Sequence, residues 1–475
     1  MTQPTSTPLL DRLRSALGAD AVLTDAVLTG ADIEARYRKD FFAPQPEASL
    51  PLAVVRPRDT AQVAEVLRLC HAQRQTVVTQ GGMTGLSGGA LPGDGELILS
   101  LERLRGIEEI DEQAGTMTLL AGTPLQQAQE AAAARGWLLA VDLGARGSCQ
   151  IGGNVATNAG GNRVIRYGMM RTQVLGLEAV LADGTVLGSL NKMLKNNAGY
   201  DLKQLFIGSE GTLGVITRVV LKLEPLPDSV QTAMCAVDSY GQVVALLRHA
   251  QRRLSGRLSA FEVMWADFHD AVSTRIAGQR AVLPPGSPFY VLLDLQGADA
   301  EGDAALFERM LEQALEEGLI SDAAIASSVK EAQEFWTLRD SPARFTTVWP
   351  QIASFDISLP IGSIGEFVER LRERLQQALP GCEALHFGHI GDSNLHVCVA
   401  VPGTDADTFP EHEIKDLLYG LLREYRGSIS AEHGVGRHKK DYLGYSRSPE
   451  EIAVMRGVKA ALDPLGILNP GRIFD

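Results

Sequence analysis

The sequence predicts an α+β protein with two main domains. The chain has 475 residues, which is too long for a single hydrophobic core. Strand, helix and strand patterns follow residue 50, and residues from about 135 to 217 are rich in Gly, Asn and Ala with short strands between turns. The proline-spaced LEPLPDSV at 223–230 then indicates a domain boundary. Beyond it, strand, helix, strand, strand and helix patterns follow one another, an order typical of a split βαβ layer.

Composition and net charge indicate what kind of protein this is and which partners it is not expected to bind. Hydrophobic residues make up 45% and charged residues 21%, which are ordinary globular values. The net charge of −14 repels polyanions, so nucleic acid is not expected as a partner. Five scattered cysteines without a CxxC pair indicate reduced thiols. Without a signal-like start or an apolar stretch near ~20 residues, we expect a soluble cytoplasmic protein with no transmembrane segment.

The first domain begins with an alternating pattern after a helical arm expected over residues 1–50. LAVVRP predicts a strand, DTAQVAEVLRLCHAQ a helix, and TVVTQ a second strand. Asp59 is placed to cap the helix, with Gln62 at its third position. The apolar residues on one helical face are Val63, Val66, Leu67 and Cys70.

The second strand leads into the glycine-rich GGMTGLSGG at 81–89. Without Cβ atoms, such a backbone can turn tightly and point its N–H groups at a phosphate. The spacing matches neither GxGxxG nor GxxxxGK[ST], which excludes the Rossmann and P-loop interpretations. Taken alone, the segment would more often be a flexible turn than a binding loop.

Two further segments share this character. LGARGSCQIGGNVATNAGGNRVIRYG at 143–168 contains seven glycines and three asparagines with almost no apolar periodicity, and GSEGTLGVIT at 208–217 runs into a strand. Long irregular segments inside a domain are uncommon and usually functional. Backbone N–H groups and amide side chains in this pattern would suit a long, polar, phosphate-bearing cofactor.

The three segments, in this order and spacing, resemble the flavin domain of the vanillyl-alcohol-oxidase/para-cresol-methylhydroxylase (PCMH) superfamily. NVATNAGGNRVIRYG, LGLEAVLADGTVL and GYDLKQLFIGSEGTLGVIT resemble its FAD-linked D-lactate, D-2-hydroxyglutarate and glycolate dehydrogenase branch. The similarity extends from about residue 50 to the C-terminal LDPLGILNPGRIF.

The resemblance implies a two-subdomain PCMH-type FAD-binding domain at 51–227 and a cap domain at 228–460, with an antiparallel sheet covered by helices. A tail at 461–475 would return to the FAD domain. The FAD would be non-covalent, because the pyrophosphate loop contains no histidine or cysteine. The residues implied to hold the pyrophosphate are Gly81, Gly82, Thr84, Gly85, Ser87 and Gly88. Those implied to contact the flavin are Ser148, Gly152, Gly153, Asn154, Asn158, Gly214, Ile216 and Asn469.

The segment HFGHIGDSNLHVCV suggests a metal site. If Gly391 to Asn394 form a turn, His389 faces His396 across a hairpin, with Cβ atoms roughly 5 Å apart. The later AEHGVGRH adds Glu432, and two histidines with one glutamate and an open position form a known catalytic zinc set. The resemblance implies that these three residues bind a divalent metal, with zinc expected.

The other histidines fall outside this set. His386 stands an odd number of residues from His389, so it is expected on the opposite strand face. The histidines without a comparable context, expected to lie on the surface or to pack, are His71, His249, His269, His412 and His438.

Two residues are expected to act on the substrate. His433 is a candidate general base, because a metal lowers the pKa of a bound hydroxyl and a nearby imidazole can take its proton. Arg339 aligns with the family arginine that pairs with the substrate carboxylate. The implied reaction oxidises a D-2-hydroxy acid to the 2-oxo acid. Its electrons would pass to a separate acceptor, either an electron-transfer flavoprotein, a quinone or a cytochrome.

Three positions depart from the 2-hydroxyglutarate dehydrogenase pattern. Ala343 and Ser354 stand where that pattern has a threonine and a lysine, and Cys398 replaces an asparagine. These changes remove polar groups that would hold a distal carboxylate, so a smaller or more apolar acid is expected. Arg344 could supply a substitute charge, although a surface position is expected for it.

Two alternatives stay open at this point. The chain could be a flavin-binding subunit of a larger redox complex, with FAD as an electron relay, or a non-redox relative such as an ether-lipid synthase. Whether it forms a homodimer is also open. A relay subunit would have no need of the full set Arg339, His389, His396, Glu432 and His433.

Overall fold

A computed structural model describes residues 7–17, 27–29, 33–40 and 49–475. The chain divides into two compact units, and apart from the short segment 162–167 it passes from the first to the second between Leu226 and Pro227. The predicted cap extended to residue 460, whereas the chain returns to the first unit at Glu432. The first unit comprises 1–161, 168–226 and 432–475, and the second comprises 162–167 and 227–431.

The elements described before the crossing at residue 226 are mostly short, and the 3-10 helix Ala35–Arg38 is among them. In chain order they are α1 Thr7–Ala16, β1 Val27–Thr29, β2 Ala53–Val55, α2 Thr60–Ala72, β3 Val77–Gln80, β4 Leu97–Ser100, β5 Ile107–Asp111, β6 Thr116–Leu120, α3 Leu125–Ala133, β7 Trp137–Leu138, α4 Ile151–Ala156, α5 Val164–Tyr167, α6 Met170–Gln173, β8 Val174–Val180, β9 Val186–Ser189, α7 Lys203–Phe206, β10 Val215–Lys222 and β11 Glu224–Pro225.

The later elements are longer, with 3-10 helices at Ser341–Thr347, Ile361–Ser363, Ile390–Asp392 and Lys440–Tyr442. In chain order they are β12 Ser229–Val237, α8 Tyr240–Leu254, β13 Leu258–Trp265, α9 Ala266–Arg275, β14 Phe289–Gly297, α10 Ala300–Glu316, β15 Asp322–Ile325, α11 Val329–Arg339, β16 Ala353–Ser358, α12 Ile364–Ala378, β17 Glu383–Gly388, β18 Asn394–Ala400, α13 Glu411–Glu424, α14 Leu443–Ser446 and α15 Pro449–Leu462.

The first unit contains two main sheets. A four-stranded sheet has the order β1-β2-β4-β3, in which β2 and β3 both run parallel to β4. A five-stranded antiparallel sheet has the order β5-β6-β10-β8-β9. The predicted strand, helix, strand start is confirmed as β2, α2 and β3, with the Asp59 side chain accepting the N–H of Gln62 at 2.8 Å.

The N-terminal arm is only partly helical where it is described. Helix α1 is followed by strand β1, which pairs antiparallel with β2. The predicted proline-containing end of the arm falls largely on residues 41–48, which lie outside the described residues. The C-terminal tail lies beside β3, where the N–H of Val77 donates to the carbonyl of Ile467 at 2.8 Å.

The second unit is built on one seven-stranded sheet with the order β15-β12-β14-β13-β17-β18-β16, and every pairing is antiparallel. The predicted strands and the predicted hairpin around 384–401 are confirmed. The sequence interpretation lacked helix α9, which starts directly after β13. That helix has only a weak apolar stripe, since its buried residues are Phe268, His269 and Val272. No helix in the described ranges is long and apolar enough to cross a membrane.

Candidate functional site

The glycine-rich segments come together in the first unit. A Cβ on Gly82 would stand 2.0 Å from the carbonyl oxygen of Ser148, so only glycine allows the first segment to approach the second this closely. Gly81 lies beside Gln150 and Gly153, at 3.5 and 3.9 Å from its Cβ position. Residues distant in sequence therefore form one surface of exposed backbone.

This surface fits a polar cofactor. A Cβ on Gly85 or Gly153 would have nothing within 4 Å, so the backbone faces open space at both positions. Thr84 is half-buried and Ser148 is exposed beside them. The buried Oε1 of Gln150 has no hydrogen-bond partner among the described residues, and it can accept a hydrogen bond from a bound group.

Ser87 links this surface to the loop that carries His433. Its hydroxyl lies 3.1 Å from the carbonyl of His433 and 3.0 Å from that of Gly434. Its own carbonyl accepts the N–H groups of Arg437 and His438. Ser87, predicted for the pyrophosphate, thus uses its side chain to hold the backbone of the predicted base.

Glu210, which the sequence interpretation missed, holds the same loop from the GSEG segment. Its carboxylate accepts the N–H of Val435 and the N–H of Gly436, each at 2.7 Å. Burial raises the pKa of Glu210 above its usual value, although these N–H donors oppose the effect. An acid between glycines at a strand entry is the signal that could have found it.

The other predicted flavin residues have partners within the first unit. Asn158 accepts the N–H of Arg171 at 2.9 Å, and the Asn469 Oδ1 accepts the N–H of Thr79 at 2.9 Å. The Asn154 side chain contacts the Cys149 sulfur, and Ile216 is buried in β10. A Cβ on Gly152 or Gly214 would approach a neighbouring side chain to within 3 Å.

Gly88 and Glu432 complete the predicted set in this unit. Gly88 adopts a φ of +69°, which favours glycine, and a Cβ there would contact the His438 ring at 2.6 Å. Glu432 is half-buried, and its Oε2 accepts the N–H of Gly161 at 3.0 Å.

In the second unit, one face of the sheet changes from apolar to polar along its strands. In five of the seven strands, counting His389 directly after β17, an apolar and a polar side chain stand two residues apart, and the change from apolar to polar is toward the same end of the sheet each time. The apolar members are Met234, Leu292, Met264, Phe387 and Cys398, and the polar members are Thr232, Asp294, Glu262, His389 and His396. All ten side chains are buried.

The two predicted metal histidines share this face, but not by the predicted register. The turn was expected at Gly391–Asn394, with His389 directly opposite His396. The 3-10 helix at Ile390–Asp392 instead shifts the pairing by two residues, so that His396 lies opposite Phe387. His389 and His396 are therefore diagonal neighbours, and their ring centres are 5.2 Å apart.

Glu262 connects His389 with Arg339. Its Oε1 accepts the Nδ1 hydrogen of His389 at 2.6 Å, and its Oε2 accepts the Nε hydrogen of Arg339 at 2.8 Å. Burial raises the pKa of Glu262, but the charges of His389 and Arg339 outweigh it and leave the pKa below its usual value. Arg339 Nη2 lies 3.1 Å from His389 Nε2, so Nε2 carries the lone pair.

His396 lies beside a second buried acid that the sequence interpretation missed. Asp356 is its cross-strand neighbour, with the two side chains 3.9 Å apart. Asp356 also accepts hydrogen bonds from the Asn394 side chain at 2.8 Å and the N–H of Ala431 at 3.1 Å. An acid inside an apolar strand, as in SFDIS and LSAFEVMW, is a sequence signal for both buried carboxylates.

Among the excluded histidines, His438 lies beside Gly88 of the predicted pyrophosphate loop, whereas three others lie elsewhere. His386 is bonded to Asp267 of α9 at 2.7 Å, consistent with the opposite strand face. His269 is buried and stacks on Tyr290, with ring centres 3.6 Å apart, while His412 is exposed.

The positions that depart from the family pattern are apolar or exposed. Cys398 lies in a cluster with Phe345, Trp349 and Phe387, and burial raises the pKa of its thiol to about 12, so it stays neutral. Its sulfur contacts the Ser354 hydroxyl at 3.4 Å. Ala343 and Arg344 are exposed, in agreement with the expected surface position of Arg344.

Comparison with known proteins identifies the family. Residues 51–188 match the family described as FAD binding domain, and residues 226–473 match FAD linked oxidases, C-terminal domain. The chain is 42% identical over 424 residues to "D-2-hydroxyglutarate dehydrogenase, mitochondrial" of Bos taurus, covering 89% of this chain and 76% of the relative. It is 40% identical over 434 residues to "D-2-hydroxyglutarate dehydrogenase" of Xanthomonas citri pv. viticola, covering 90% and 89%.

A solved structure of p-cresol methylhydroxylase with substrate bound gives a TM-score of 0.76 at 18% identity, covering 100% of this chain and 98% of that one. This similarity concerns the fold, and it confirms the predicted class of a PCMH-type FAD-binding domain with an antiparallel-sheet domain. The reaction that the chain catalyses is indicated by the matched family models and by the similar relatives. This chain therefore belongs to the FAD-linked oxidases and is an FAD-dependent enzyme, similar to the D-2-hydroxyglutarate dehydrogenases, that oxidises a 2-hydroxy acid.

Proposed function

We propose that the substrate is a D-2-hydroxy acid, that a divalent metal assists its oxidation to the 2-oxo acid, and that the electrons pass to a separate acceptor. The polar end of the second unit's sheet carries this proposal, because Arg339, His389 and His396 are buried there together. A guanidinium suits a carboxylate, and paired imidazoles suit a metal. The similarity to D-2-hydroxyglutarate dehydrogenases favours the D-hydroxy-acid class.

FAD would lie on the glycine surface of the first unit, at the residues predicted from the sequence. The open backbone at Gly85 and Gly153 and the unpartnered Oε1 of Gln150 support this assignment. When bound, FAD supplies the acceptor for the two electrons of the oxidation. Non-covalent binding is proposed because the loop at 81–89 has no histidine or cysteine.

Replacing Gly85 with alanine should weaken FAD binding without destabilising the protein. The new methyl group would have nothing within 4 Å in the protein, so only a bound cofactor would meet it. We expect a lower flavin content after purification and an unchanged melting temperature for the protein stripped of flavin. The flavin is measured as free FAD released by acid precipitation.

Gly362 provides the matched control, because it also has open space at its Cβ position but belongs to the second unit. Gly362→Ala should keep its full flavin content. Full FAD affinity in Gly85→Ala would argue against the pyrophosphate assignment. Flavin that stays with the acid pellet would argue against non-covalent attachment.

The metal would be held by His389, His396 and Glu432, with zinc expected. The lone pair on His389 Nε2 fits a metal ligand, because a metal binds a ring nitrogen that carries no hydrogen. Glu432, in the segment AEHGVGRH, is proposed as the third ligand from the resemblance to the family. When bound, such a metal lowers the pKa of a coordinated hydroxyl.

Two residues would act directly on the substrate. Arg339 would hold the carboxylate at C1 through its guanidinium, which orients the hydroxyl-bearing carbon. His433 would take the hydroxyl proton as the general base. Ser87 and Glu210 bond the backbone of the His433 loop, which supports a fixed position for the imidazole.

The alternative is a flavin-binding subunit whose FAD only relays electrons. The buried Glu262–Arg339 ion pair and its bond to His389 disfavour it, because burying these charges is costly and a relay has no use for them. Anaerobic bleaching of the flavin in the isolated chain by a hydroxy acid would separate the two functions.

D-2-hydroxyglutarate should be a poorer substrate than a short or apolar D-2-hydroxy acid. The neutral thiol of Cys398, its apolar neighbours and the exposed Ala343 supply no charge for a distal carboxylate. Losing one charge-assisted contact costs about 2 kcal/mol, which is more than tenfold in kcat/KM. The measurement is anaerobic flavin reduction across a panel of D- and L-2-hydroxy acids.

The panel also tests the proposed reaction. Reduction by D-acids and not by L-acids would support the stereochemistry, and reduction by neither would remove the proposal. Equal or faster turnover of the dicarboxylate would mean that another cation holds its distal end. The acceptor, a cytoplasmic location and a homodimer stay predictions, and they do not affect this assay.

A further inference from the structure

Glu262 lies inside β13, a strand whose eight residues are all buried. The side chain is 1% exposed, and its two oxygens serve two different residues. One oxygen accepts from His389 and the other from Arg339. Burying a carboxylate in a strand costs free energy, and here the two partners offset that cost.

The contact with His389 decides which ring nitrogen carries the hydrogen. Nδ1 lies 2.6 Å from the carboxylate of Glu262 and donates to it. Nε2 lies 3.1 Å from Arg339 Nη2, which can only donate, so Nε2 must accept. Both neighbours therefore favour the same tautomer, in which Nε2 presents its lone pair.

The contact with Arg339 fixes the direction of the guanidinium. The Nε hydrogen is held at 2.8 Å by Glu262, and the guanidinium carbon lies 5.4 Å from the centre of the Phe387 ring. Because an arginine side chain has several rotatable bonds, such an anchor lowers the entropy lost when it binds a carboxylate. The planar group then presents its remaining donors in one orientation.

We propose that Glu262 is a positioning residue that serves both functions at once, setting the tautomer of His389 for a metal and the direction of Arg339 for a carboxylate. This inference rests on the metal and substrate roles proposed above. It assigns Glu262 no contact with the substrate, because the residue acts through its two neighbours.

The test replaces Glu262 with glutamine in the FAD-loaded protein. Glutamine keeps the shape but offers only one acceptor oxygen. If that oxygen stays with Arg339, the amide NH₂ faces His389 Nδ1 and favours the tautomer with hydrogen on Nε2. We expect the affinity for Co²⁺ to fall about 10- to 100-fold, the usual effect of losing a carboxylate behind a metal-binding histidine. Affinity is measured by competition with a chelator, without turnover.

Glu262→Gln should also have a higher KM for the hydroxy acid, and the increase should be larger than weaker metal binding alone would cause. This is tested at saturating Co²⁺, where the metal site is filled in both proteins. Glu262→Asp, which keeps both acceptor oxygens, should bind Co²⁺ more tightly than Glu262→Gln. If Glu262→Gln does not fold, the comparison of Glu262→Asp with the wild type decides the test. Glu262→Asp should then bind Co²⁺ less tightly than the wild type, by a smaller factor than the one expected for Glu262→Gln.

Asp294→Asn is the matched control for losing a buried carboxylate on the same sheet face. Asp294 bonds Thr232, Trp336 and Arg163, not His389 or Arg339, so this variant should keep its Co²⁺ affinity. The inference would be overturned if Glu262→Gln kept the Co²⁺ affinity and the KM of the wild type. It would also be overturned if Glu262→Gln and Asp294→Asn lost Co²⁺ affinity equally. A wild-type protein that takes up no Co²⁺ would instead overturn the proposed metal site.

Discussion

Replacing His433 with alanine is expected to slow flavin reduction by about 10²- to 10⁴-fold, the usual effect of losing a general base. FAD and metal should both stay bound. The loop should keep its place, because Ser87 bonds the carbonyl oxygen of His433 and not its ring. Glu210 likewise bonds the N–H groups of Val435 and Gly436, which alanine leaves intact.

Stopped-flow absorbance measures the flavin reduction rate, and elemental analysis of the same sample measures the metal. His412→Ala, which removes an exposed histidine, serves as the control and should match the wild type. Loss of metal from His433→Ala would mean that the residue is a ligand and not the base. A reduction rate within threefold or so of the wild type would leave His433 without a catalytic role.

Replacing His389 with alanine should remove metal and activity together while FAD stays bound. The variant loses one of the three proposed ligands and the Nε2 lone pair that faces Arg339. It should still fold, because Glu262 keeps its 2.8 Å bond to Arg339 and is not left as an unpaired buried charge. The predicted FAD residues belong to the first unit.

His386→Ala is a demanding control, because His386 is buried in β17, the strand that ends just before His389, but is bonded to Asp267. It should lose stability in a melting experiment, because the bond to Asp267 is removed, yet it should retain metal at a temperature where it is folded. Metal retained by His389→Ala would contradict the ligand assignment. Full-speed flavin reduction by chelated, metal-free wild type would contradict metal assistance itself.

Local patterns in the sequence were sufficient for much of the fold. Asp59 and the apolar face from Val63 to Cys70 predicted α2, because capping and helical periodicity depend on neighbouring residues. The strands of the second unit followed from apolar runs bounded by turn residues. Helix α9 was missed because it contains few apolar residues and follows β13 without a break.

The hairpin of β17 and β18 has a register that local sequence patterns did not predict correctly. The turn expected at Gly391–Asn394 placed His389 opposite His396, and residues opposite each other in a hairpin share a face of the sheet. Their register was wrong by two residues, because the 3-10 helix at Ile390–Asp392 determines where pairing begins. A shift of two keeps every side chain on its face, so the two histidines still come together as diagonal neighbours.

By itself, the sequence determined the fold class, the glycine-rich segments and the residue types of a 2-hydroxy-acid site. Only the tertiary structure decided which buried acids serve them. Glu262 is 77 positions from Arg339 and 127 from His389 along the chain, and no local pattern joins such residues. They meet because β13 and β17 are neighbours in the sheet and α11 ends at Arg339. The pairing of buried charges depends on this packing, since a carboxylate is stable in the interior only where donors reach it.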